Sequence, residues 1–267
     1  MSAVVIDGGL VHYEAFGRGR PVLFLHGWLG SWRYWMSTME AISDKYRTYA
    51  LDLWGFGDSD KSKARYEVSD YVALVNNFTD NMGIREAPIV GHALGASIAL
   101  EYTVRYPDRA KKVMAVSLPM TPDCISPKIK GFSGSSKKGW SKFLGRRPIT
   151  HEQVEKESEK ADIEAINTSV ASVAQLDVMS RIQMVAQSND AMLLAVYGEK
   201  DDMVDPGPTR TLNGSAQNIR PIGLAESKHF PMLEEASKFN RLLQDFLDVE
   251  EDLSILELKE EWRRRTR

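Results

Sequence analysis

Cysteine and long hydrophobic runs are scarce in this chain of 267 residues. Cys124 is its one cysteine, so an internal disulfide and a metal site built from several thiolates are both excluded. No apolar run approaches the ~20 residues that a membrane-crossing helix needs, so we expect no stable membrane insertion. Residues 1–7 lack the charged, apolar and small-residue pattern of a signal peptide, and we therefore expect a cytoplasmic protein.

A strong excess of charge of either sign is absent as well. The 34 Lys and Arg residues face 37 Asp and Glu residues, which gives a formal net charge of −3 at pH 7. Because domains that bind nucleic acid usually carry a basic face, no nucleic acid partner is expected. Hydrophobic residues make up 43% of the chain, which is ample for one packed core.

What the sequence does contain is a regular alternation of apolar strands with helices. Short apolar runs predict strands at residues 4–6, 11–16, 21–25, 46–53, 87–90, 112–118, 191–197 and 219–224. Helical spacing predicts helices at residues 32–43, 69–82, 96–106 and 233–248, the second with Ser69 as its cap. This order is typical of an α/β protein with a mostly parallel eight-stranded sheet flanked by helices.

The alternation stops between residues 119 and 190, where no apolar run predicts a buried strand. Residues 126–148 hold seven basic residues and no acidic ones, and residues 151–188 have the pattern of two or three polar helices. Long insertions usually have a function, so we interpret residues 119–190 as a helical cap inserted after the sixth strand. Residues 1–118 and 191–267 then form the core. We interpret the basic segment as a solvated loop, with guidance of an anionic substrate or contact with a membrane surface as alternatives.

The most informative stretch of the sequence is Gly91-His92-Ala93-Leu94-Gly95. It lies between a predicted buried strand and a predicted helix, where a Gly-x-Ser-x-Gly turn would present a nucleophilic serine. Glycine at both ends allows the backbone to turn sharply and the helix to pack close to the strand. The central residue is alanine, however, and a methyl group cannot attack a carbonyl carbon.

Four further motifs, together with this turn, resemble those of the α/β-hydrolase superfamily over residues 22–246. In chain order they are His26-Gly27-Trp28, residues 52–59 (DLWGFGDS), residues 198–201 (GEKD) and residues 227–234 (SKHFPMLE). The resemblance implies the α/β-hydrolase fold, with the helical cap, and a triad in the chain order nucleophile, acid, base.

The resemblance also implies a role for each matching position. Ala93 occupies the nucleophile position, Asp201 corresponds to the triad acid, and His229 corresponds to the general base. The backbone N–H groups of Trp28 and Leu94 would form the oxyanion hole. Such a triad requires no cofactor and no metal ion.

Other polar residues near these motifs have structural interpretations. We interpret His26 as a support of its own turn and Asp52 as part of the floor beneath the site. Asp123 is the alternative triad acid, because some relatives carry the acid after the sixth strand. Aromatic and methionine side chains favour an apolar, adaptable substrate pocket, and four residues are predicted to line it: His92, Trp54, Met120 and Phe230.

Two hypotheses account for Ala93. In the first, the natural protein has serine there, and the chain is a nucleophile-to-alanine variant that binds substrate without turning it over. In the second, the natural protein lost its nucleophile and became a small-molecule receptor. The survival of the acid, the base and the oxyanion turn favours the first hypothesis. An original Asp or Cys is also open, although Leu94-Gly95 resembles the serine esterases more closely.

The sequence therefore predicts a carboxylic ester hydrolase, inactive as it stands, whose partner is a small-molecule ester or a related carbonyl compound. A C–C bond hydrolase with the same triad and fold is the enzymatic alternative. Residues 252–262 have helical spacing, so they either extend the last helix or pair with a partner, and a homodimer is one such possibility. The charged tail at residues 260–265 is interpreted as solvated rather than as a scaffold element.

Overall fold

An eight-stranded sheet organises the protein, with the strands in the order β1-β2-β4-β3-β5-β6-β7-β8. The computed structural model describes residues 2–28, 30–61, 65–130, 156–188, 190–250 and 252–258. The strands are β1 (Ser2–Ile6), β2 (Gly9–Phe16), β3 (Arg20–Leu25), β4 (Tyr46–Leu51), β5 (Ile89–His92), β6 (Lys112–Val116), β7 (Met192–Gly198) and β8 (Ile219–Leu224). The predicted eight-stranded sheet is confirmed.

The strand directions follow from the connections. β1 and β2 form an antiparallel hairpin, and β2 pairs antiparallel with β4. All other neighbouring strands are parallel, because each crosses to the next through a helical connection. All seven residues of β7 are buried, as expected for a continuous apolar run with helices on both faces.

The helices of the described part are α1 (Met36–Ile42), α2 (Val68–Asn81), α3 (Leu94–Arg105), α4 (Pro127–Lys130), α5 (Ile163–Gln175), α6 (Val178–Gln187), α7 (Gly207–Arg210), α8 (Pro231–Glu234) and α9 (Ala236–Asp248). None of the helices in these ranges is both long enough and apolar enough to span a bilayer. The alternation of strands and helices thus has the predicted order.

Helix boundaries differ from the prediction where side chains bond to the backbone. The segment 32–43 begins with a 3-10 turn, Trp32–Trp35, because Ser31 Oγ accepts the Arg33 N–H at 3.2 Å. Ser69 does not cap α2, which begins at Val68. Asp70 instead accepts the backbone N–H of Glu67 at 3.1 Å, which is one half of a capping box.

The end of α9 is set by a lysine from the sheet. Lys112 Nζ, at the start of β6, donates to the carbonyl oxygens of Phe246, Leu247 and Val249. A cation is favourable there because the last carbonyls of a helix are unpaired and carry partial negative charge. The helix ends at Asp248, so residues 252–258 do not extend it: Leu253–Ile255 form a 3-10 turn, and of the two alternatives the first does not hold for these residues. Residues 259–267 lie outside the described residues.

Helices α4, α5 and α6 belong to the segment between β6 and β7. Two hydrogen bonds join α5 to the core: the Trp28 indole N–H donates to Ser169 Oγ, and the Val68 backbone N–H donates to Ser172 Oγ, both at 3.0 Å. The assignment of residues 119–190 as a cap stays a prediction. Most of the basic segment, from residue 131 onward, lies outside the described residues.

The turn between β5 and α3 holds an alanine in a strained conformation. Ala93 has φ +48° and ψ −107°, a region that favours glycine. The backbone is closely packed on both sides of this residue. A Cβ at Gly91 would lie 2.1 Å from the Gly95 carbonyl oxygen, and a Cβ at Gly95 would lie 2.3 Å from the Leu25 carbonyl oxygen. The surrounding structure therefore imposes the strain, which costs about 1–3 kcal/mol for such a residue.

The turn after β4 is held by a buried carboxylate. Asp52 accepts the backbone N–H of Trp32 at 2.7 Å, that of Asp58 at 2.9 Å and the Nδ1–H of His12 at 2.9 Å. The hydrogen bond to Asp52 raises the pKa of His12; burial opposes the shift, and the charges of Asp52 and Glu14 add to it. Protonated His12 is therefore more favourable in the folded chain than in the unfolded one.

We expect Ala93→Gly to raise the free energy of unfolding by about 1 kcal/mol, measured by chemical denaturation. Glycine relieves the strain, and its greater freedom in the unfolded chain offsets part of the gain. The matched control is Ala171→Gly, at an exposed position within α5, which should instead lower stability by about 1 kcal/mol. A lower free energy of unfolding in both variants would contradict the interpretation that the surrounding structure strains position 93.

We expect the stability difference between the parent chain and His12→Gln to depend on pH. Because the folded pKa of His12 is raised, its contribution is complete below the ordinary value of about 6.5 and is lost as the pH rises through the folded value. The difference in unfolding free energy should thus be larger at pH 6 than at pH 9. The control Glu14→Gln keeps the hydrogen bond between His12 and Asp52, so its difference in unfolding free energy from the parent chain should depend little on pH. A difference for His12→Gln that does not change with pH would refute a raised pKa of His12 in the folded chain.

Candidate active site

Three loops at one edge of the sheet bring the predicted site residues together. Ala93 follows β5, Asp201 follows β7, and His229 lies between β8 and α8. Because the carboxyl ends of parallel strands point the same way, the loops that follow them meet at one edge. This edge is where open α/β sheets bind their ligands.

Asp201 and His229 form a buried hydrogen-bonded pair. His229 Nδ1 lies 2.9 Å from Asp201 Oδ2 and 3.2 Å from Oδ1, and both side chains are almost fully buried. Asp201 Oδ1 also accepts the backbone N–H groups of Met203 at 2.9 Å and Val204 at 3.0 Å. The carboxylate is therefore held by its own loop as well as by the imidazole.

The surroundings of Asp201 keep it ionised. Burial alone would raise its pKa, but the charge and hydrogen bond of His229 and the N–H groups of Val204 and Met203 outweigh burial and lower the pKa. A carboxylate in this state accepts the Nδ1–H of His229. The Nε2 atom of that ring is then left to exchange protons with a reacting group.

The turn that contains Gly27 packs directly against position 93. A Cβ at Gly27 would lie 3.2 Å from the Cβ of Ala93 and 2.7 Å from Nδ1 of His92. The ring of His92 in turn lies 4.6 Å from that of His229, centroid to centroid. The turn at Gly27, position 93 and the loop that carries His229 therefore share one buried neighbourhood.

His26 holds the turn at Gly27 through its ring nitrogens. Its Nε2 accepts the Leu53 backbone N–H at 3.0 Å, so its Nδ1 carries the proton and donates to the Gly27 carbonyl at 2.8 Å. Complete burial lowers the pKa of His26 and keeps the ring neutral. Both ring nitrogens are thus used in holding the backbone, and none is left for proton transfer.

The backbone N–H groups of Trp28 and Leu94 are the predicted oxyanion donors. Trp28 belongs to the turn after β3, and Leu94 is the first residue of α3, whose N-terminal N–H groups lack partners within the helix. In the part of the chain that the structure describes, neither the Trp28 nor the Leu94 backbone N–H donates to a protein acceptor. Oxyanion donors need such unpaired N–H groups, and the role of these two stays a prediction.

The four predicted pocket residues, His92, Trp54, Met120 and Phe230, are all buried. Phe230 lies beside His229, with ring centroids 5.0 Å apart. His92 does not present its polar atoms to an open pocket, because its Nε2 donates to the His229 carbonyl oxygen at 2.8 Å. That Trp54, Met120 and Phe230 line a substrate pocket stays a prediction.

The alternative acid that the sequence leaves open, Asp123, is exposed in the 3-10 turn Pro122–Cys124, and the carboxylate that bonds to His229 is that of Asp201. Among the described residues only His12, Asp52 and Asp58 cluster with metal-ligand spacing, within 4.8 Å of one another. Asp52 is committed to three hydrogen-bond donors, however, and Asp58 pairs with Arg33 and Lys160, so this cluster is better explained as structural.

Sequence reasoning missed two features of the site. The backbone N–H groups of Met203 and Val204 hold the acid, and no side-chain pattern shows them. Ser117, directly after β6, has φ +49° and places its Oγ 3.4 Å from the His229 carbonyl oxygen. Its position just after a core strand, next to the nucleophile strand, is the signal that could have identified it.

Comparisons with known proteins agree with this architecture. Residues 20–142 match the family model described as alpha/beta hydrolase fold. The dihydrolipoyllysine-residue acetyltransferase component of the acetoin cleaving system of Cupriavidus necator is 25% identical over 256 residues, covering 91% of this chain and 67% of that protein. A 2-hydroxymuconate semialdehyde hydrolase from Pseudomonas sp. strain CF600 is 23% identical over 263 residues, covering 91% of this chain and 92% of that protein.

Epoxide hydrolases match over a shorter range. Epoxide hydrolase 4 of Mus musculus is 34% identical over 118 residues, and this match covers 42% of the chain and only 33% of that protein. The chain thus aligns with about a third of the length of this relative.

Solved structures show the same fold at low sequence identity. The enol-lactonase from Burkholderia xenovorans LB400 superposes with a TM-score of 0.81 at 17% identity, covering 92% of this chain and 99% of that one. A serine-to-alanine mutant of the meta-cleavage product hydrolase from Pseudomonas fluorescens IP01, complexed with acetates, superposes with a TM-score of 0.79 at 21% identity, covering 92% and 97%. The strand order and these matches together show that the chain has the α/β-hydrolase fold.

Proposed function

We propose that this chain, with serine at position 93, is a carboxylic ester hydrolase that works through a Ser-His-Asp mechanism. The observation that carries the proposal is the buried Asp201–His229 hydrogen bond beside a strained turn whose central residue is alanine. As it stands, the chain should bind an ester and barely turn it over, because Ala93 offers no nucleophile.

The strain at Ala93 supports its interpretation as a former nucleophile position. Alanine at φ +48° costs free energy and contributes no chemistry in return. In a nucleophile turn the same conformation lifts a hydroxyl above the sheet toward the base. The conformation is therefore explained by a serine that the present side chain replaces.

With serine restored, each proton has a defined route. His229 Nε2 accepts the hydroxyl proton as the serine oxygen attacks the ester carbonyl carbon, and Asp201 stabilises the resulting imidazolium. The N–H groups of Trp28 and Leu94 bind the oxyanion. His229 then gives its proton to the leaving alcohol. Water, activated by the same imidazole, releases the acid and regenerates the serine.

The substrate class is proposed from the side chains around the site. Trp28, Met120 and Phe230 are apolar or aromatic, which suits a small or medium apolar acyl group. The likeness to an enol-lactonase supports cleavage of an ester-type bond. The mechanism needs no cofactor or metal ion, because the base, the acid and the oxyanion donors all come from the chain.

Two alternatives rest on specific matches. A C–C bond hydrolase is supported by the Pseudomonas semialdehyde hydrolase, which aligns over 92% of its own length. An aspartate nucleophile is supported by the partial match to an epoxide hydrolase, although the Leu94-Gly95 that follows position 93 favours serine. A natural receptor without a nucleophile is the non-enzymatic alternative: an alanine codon in the natural gene would support it, and a serine codon would exclude it.

We expect Ala93→Ser to gain hydrolysis of short p-nitrophenyl esters, by about 10⁴–10⁶-fold in turnover over the parent chain, in initial-rate assays. Adding His229→Ala should return the rate to the parent level. Adding Asp201→Asn should lower it by about 10⁴-fold, because the imidazole loses its orienting partner. A folded Ala93→Ser protein without esterase, lactonase, amidase or thioesterase activity would refute the proposal.

The nucleophile and the bond that it attacks can be identified with a matched pair of variants. We expect Ala93→Ser to act on esters in preference to ring-fission acids, and Ala93→Asp to be inactive on epoxides. The assay is turnover of one panel of esters, vinylogous diketone acids and epoxides by both proteins. Preference of the serine form for the diketone acids would favour the C–C hydrolase, and epoxide turnover by Ala93→Asp would favour an aspartate enzyme.

A further inference from the structure

The carbonyl oxygen of His229 accepts two side-chain hydrogen bonds from the ends of core strands. His92, the last residue of β5, donates from Nε2 at 2.8 Å. Ser117, the first residue after β6, donates from Oγ at 3.4 Å. Because β5 and β6 are adjacent parallel strands, the two donors reach the same carbonyl from neighbouring positions on the sheet edge.

The protonation state of His92 is defined by these contacts. A carbonyl oxygen can only accept, so Nε2 carries the proton and Nδ1 is bare. Nδ1 is buried without a hydrogen-bond partner among the described residues and faces Gly27, where a Cβ would lie only 2.7 Å away. Burial and the neighbouring His229 lower the pKa of His92 well below its ordinary value, which keeps this ring neutral.

The ring of His92 therefore lies between two functional loops. On one side it touches the oxyanion turn at Gly27, and on the other it holds the backbone of the base. Phe230 packs on it, with ring centroids 5.2 Å apart. A side chain in this position transmits any displacement of one loop to the other.

The backbone of Ser117 is anchored to the neighbouring strand. Its backbone N–H donates to the Val196 carbonyl oxygen at 2.8 Å, which anchors it to β7. Its φ of +49° is strained for a residue with a Cβ, and such strain persists only where the surroundings enforce it. The strained backbone directs the hydroxyl toward the His229 carbonyl oxygen.

We propose that His92 and Ser117 are positioning residues that clamp the backbone of His229, so that its imidazole stays aligned between Asp201 and position 93. Neither residue touches the reacting atoms. The expected effect of this clamp on the rate rests on the proposed function. Its expected effect on the hydrogen bond between Asp201 and His229 does not. This role replaces the one that the sequence predicts for His92, that of a pocket residue.

The first test measures kinetics in the Ala93→Ser protein. His92→Phe keeps a ring but removes the donor, and we expect kcat to fall about 10²-fold with KM within about threefold, as for a base displaced by about 1 Å. His92→Gln can still donate from its Nε2, and kcat should stay within about tenfold of that of the Ala93→Ser protein. Ser117→Ala loses the longer, weaker bond and should lower kcat by about three- to tenfold.

The second test uses the parent chain with Ala93 and needs no activity. The downfield proton NMR signal of the His229 Nδ1–H that binds Asp201 should be sharp in the parent and in His92→Gln, and broadened or lost in His92→Phe. The matched control is Thr103→Val, which removes a buried side-chain bond to the Ala99 carbonyl oxygen within α3, far from the loops of the site. Thr103→Val should leave kcat unchanged in the Ala93→Ser protein and the NMR signal unchanged in the parent chain.

Three outcomes would overturn the clamp. They are an unchanged kcat and NMR signal in a folded His92→Phe protein, an equal loss in His92→Gln and His92→Phe, and a rise in KM alone, which would mark His92 as a pocket residue. If His92→Phe does not fold, Ser117→Ala decides the matter, because an unchanged kcat in that variant would also overturn the clamp. If Ala93→Ser is inactive but the NMR signals change as expected, the proposed function fails while the clamp stands.

Discussion

The candidate site depends on the close approach of backbone segments around the turn between β5 and α3. Gly91 lies against the Gly95 carbonyl, and Gly95 lies against the carbonyl of Leu25 in β3, with no room for a Cβ at either position. This contact starts α3 directly at the sheet edge and forces position 93 to φ +48°. It also leaves the Leu94 N–H pointing away from the helix, where no carbonyl of the helix can accept it.

The loops around this turn are held by buried polar groups rather than by apolar contacts alone. Asp201 accepts two backbone N–H groups besides the imidazole, and His26 bridges two loops with its two ring nitrogens. Buried polar groups need partners, so each such side chain fixes the backbone that satisfies it. The geometry of the candidate site is thus built from carbonyl and N–H groups that the sequence does not display.

The fold was predictable because its signals are local. A continuous apolar run such as β3 identifies a strand buried on both faces, and the alternation of such runs with helices identifies a parallel sheet. Helix boundaries were less predictable. The segment 233–248 divides at Glu235, whose carboxylate accepts the backbone N–H of Glu226 and the hydroxyl of Ser227 in the loop of the base. That competing bond joins residues eight or nine positions apart, beyond the reach of helical periodicity.

The sequence by itself determined the order of the elements, the identity of the chemical groups and their order along the chain. Position 93, Asp201 and His229 were identified from motifs that each span a few residues. Only the tertiary structure decided that Asp201, rather than Asp123, pairs with the imidazole, and that His92 bonds to the backbone of a residue 137 positions away. Such contacts depend on where distant strands end in space, and local sequence patterns carry no information about those distances.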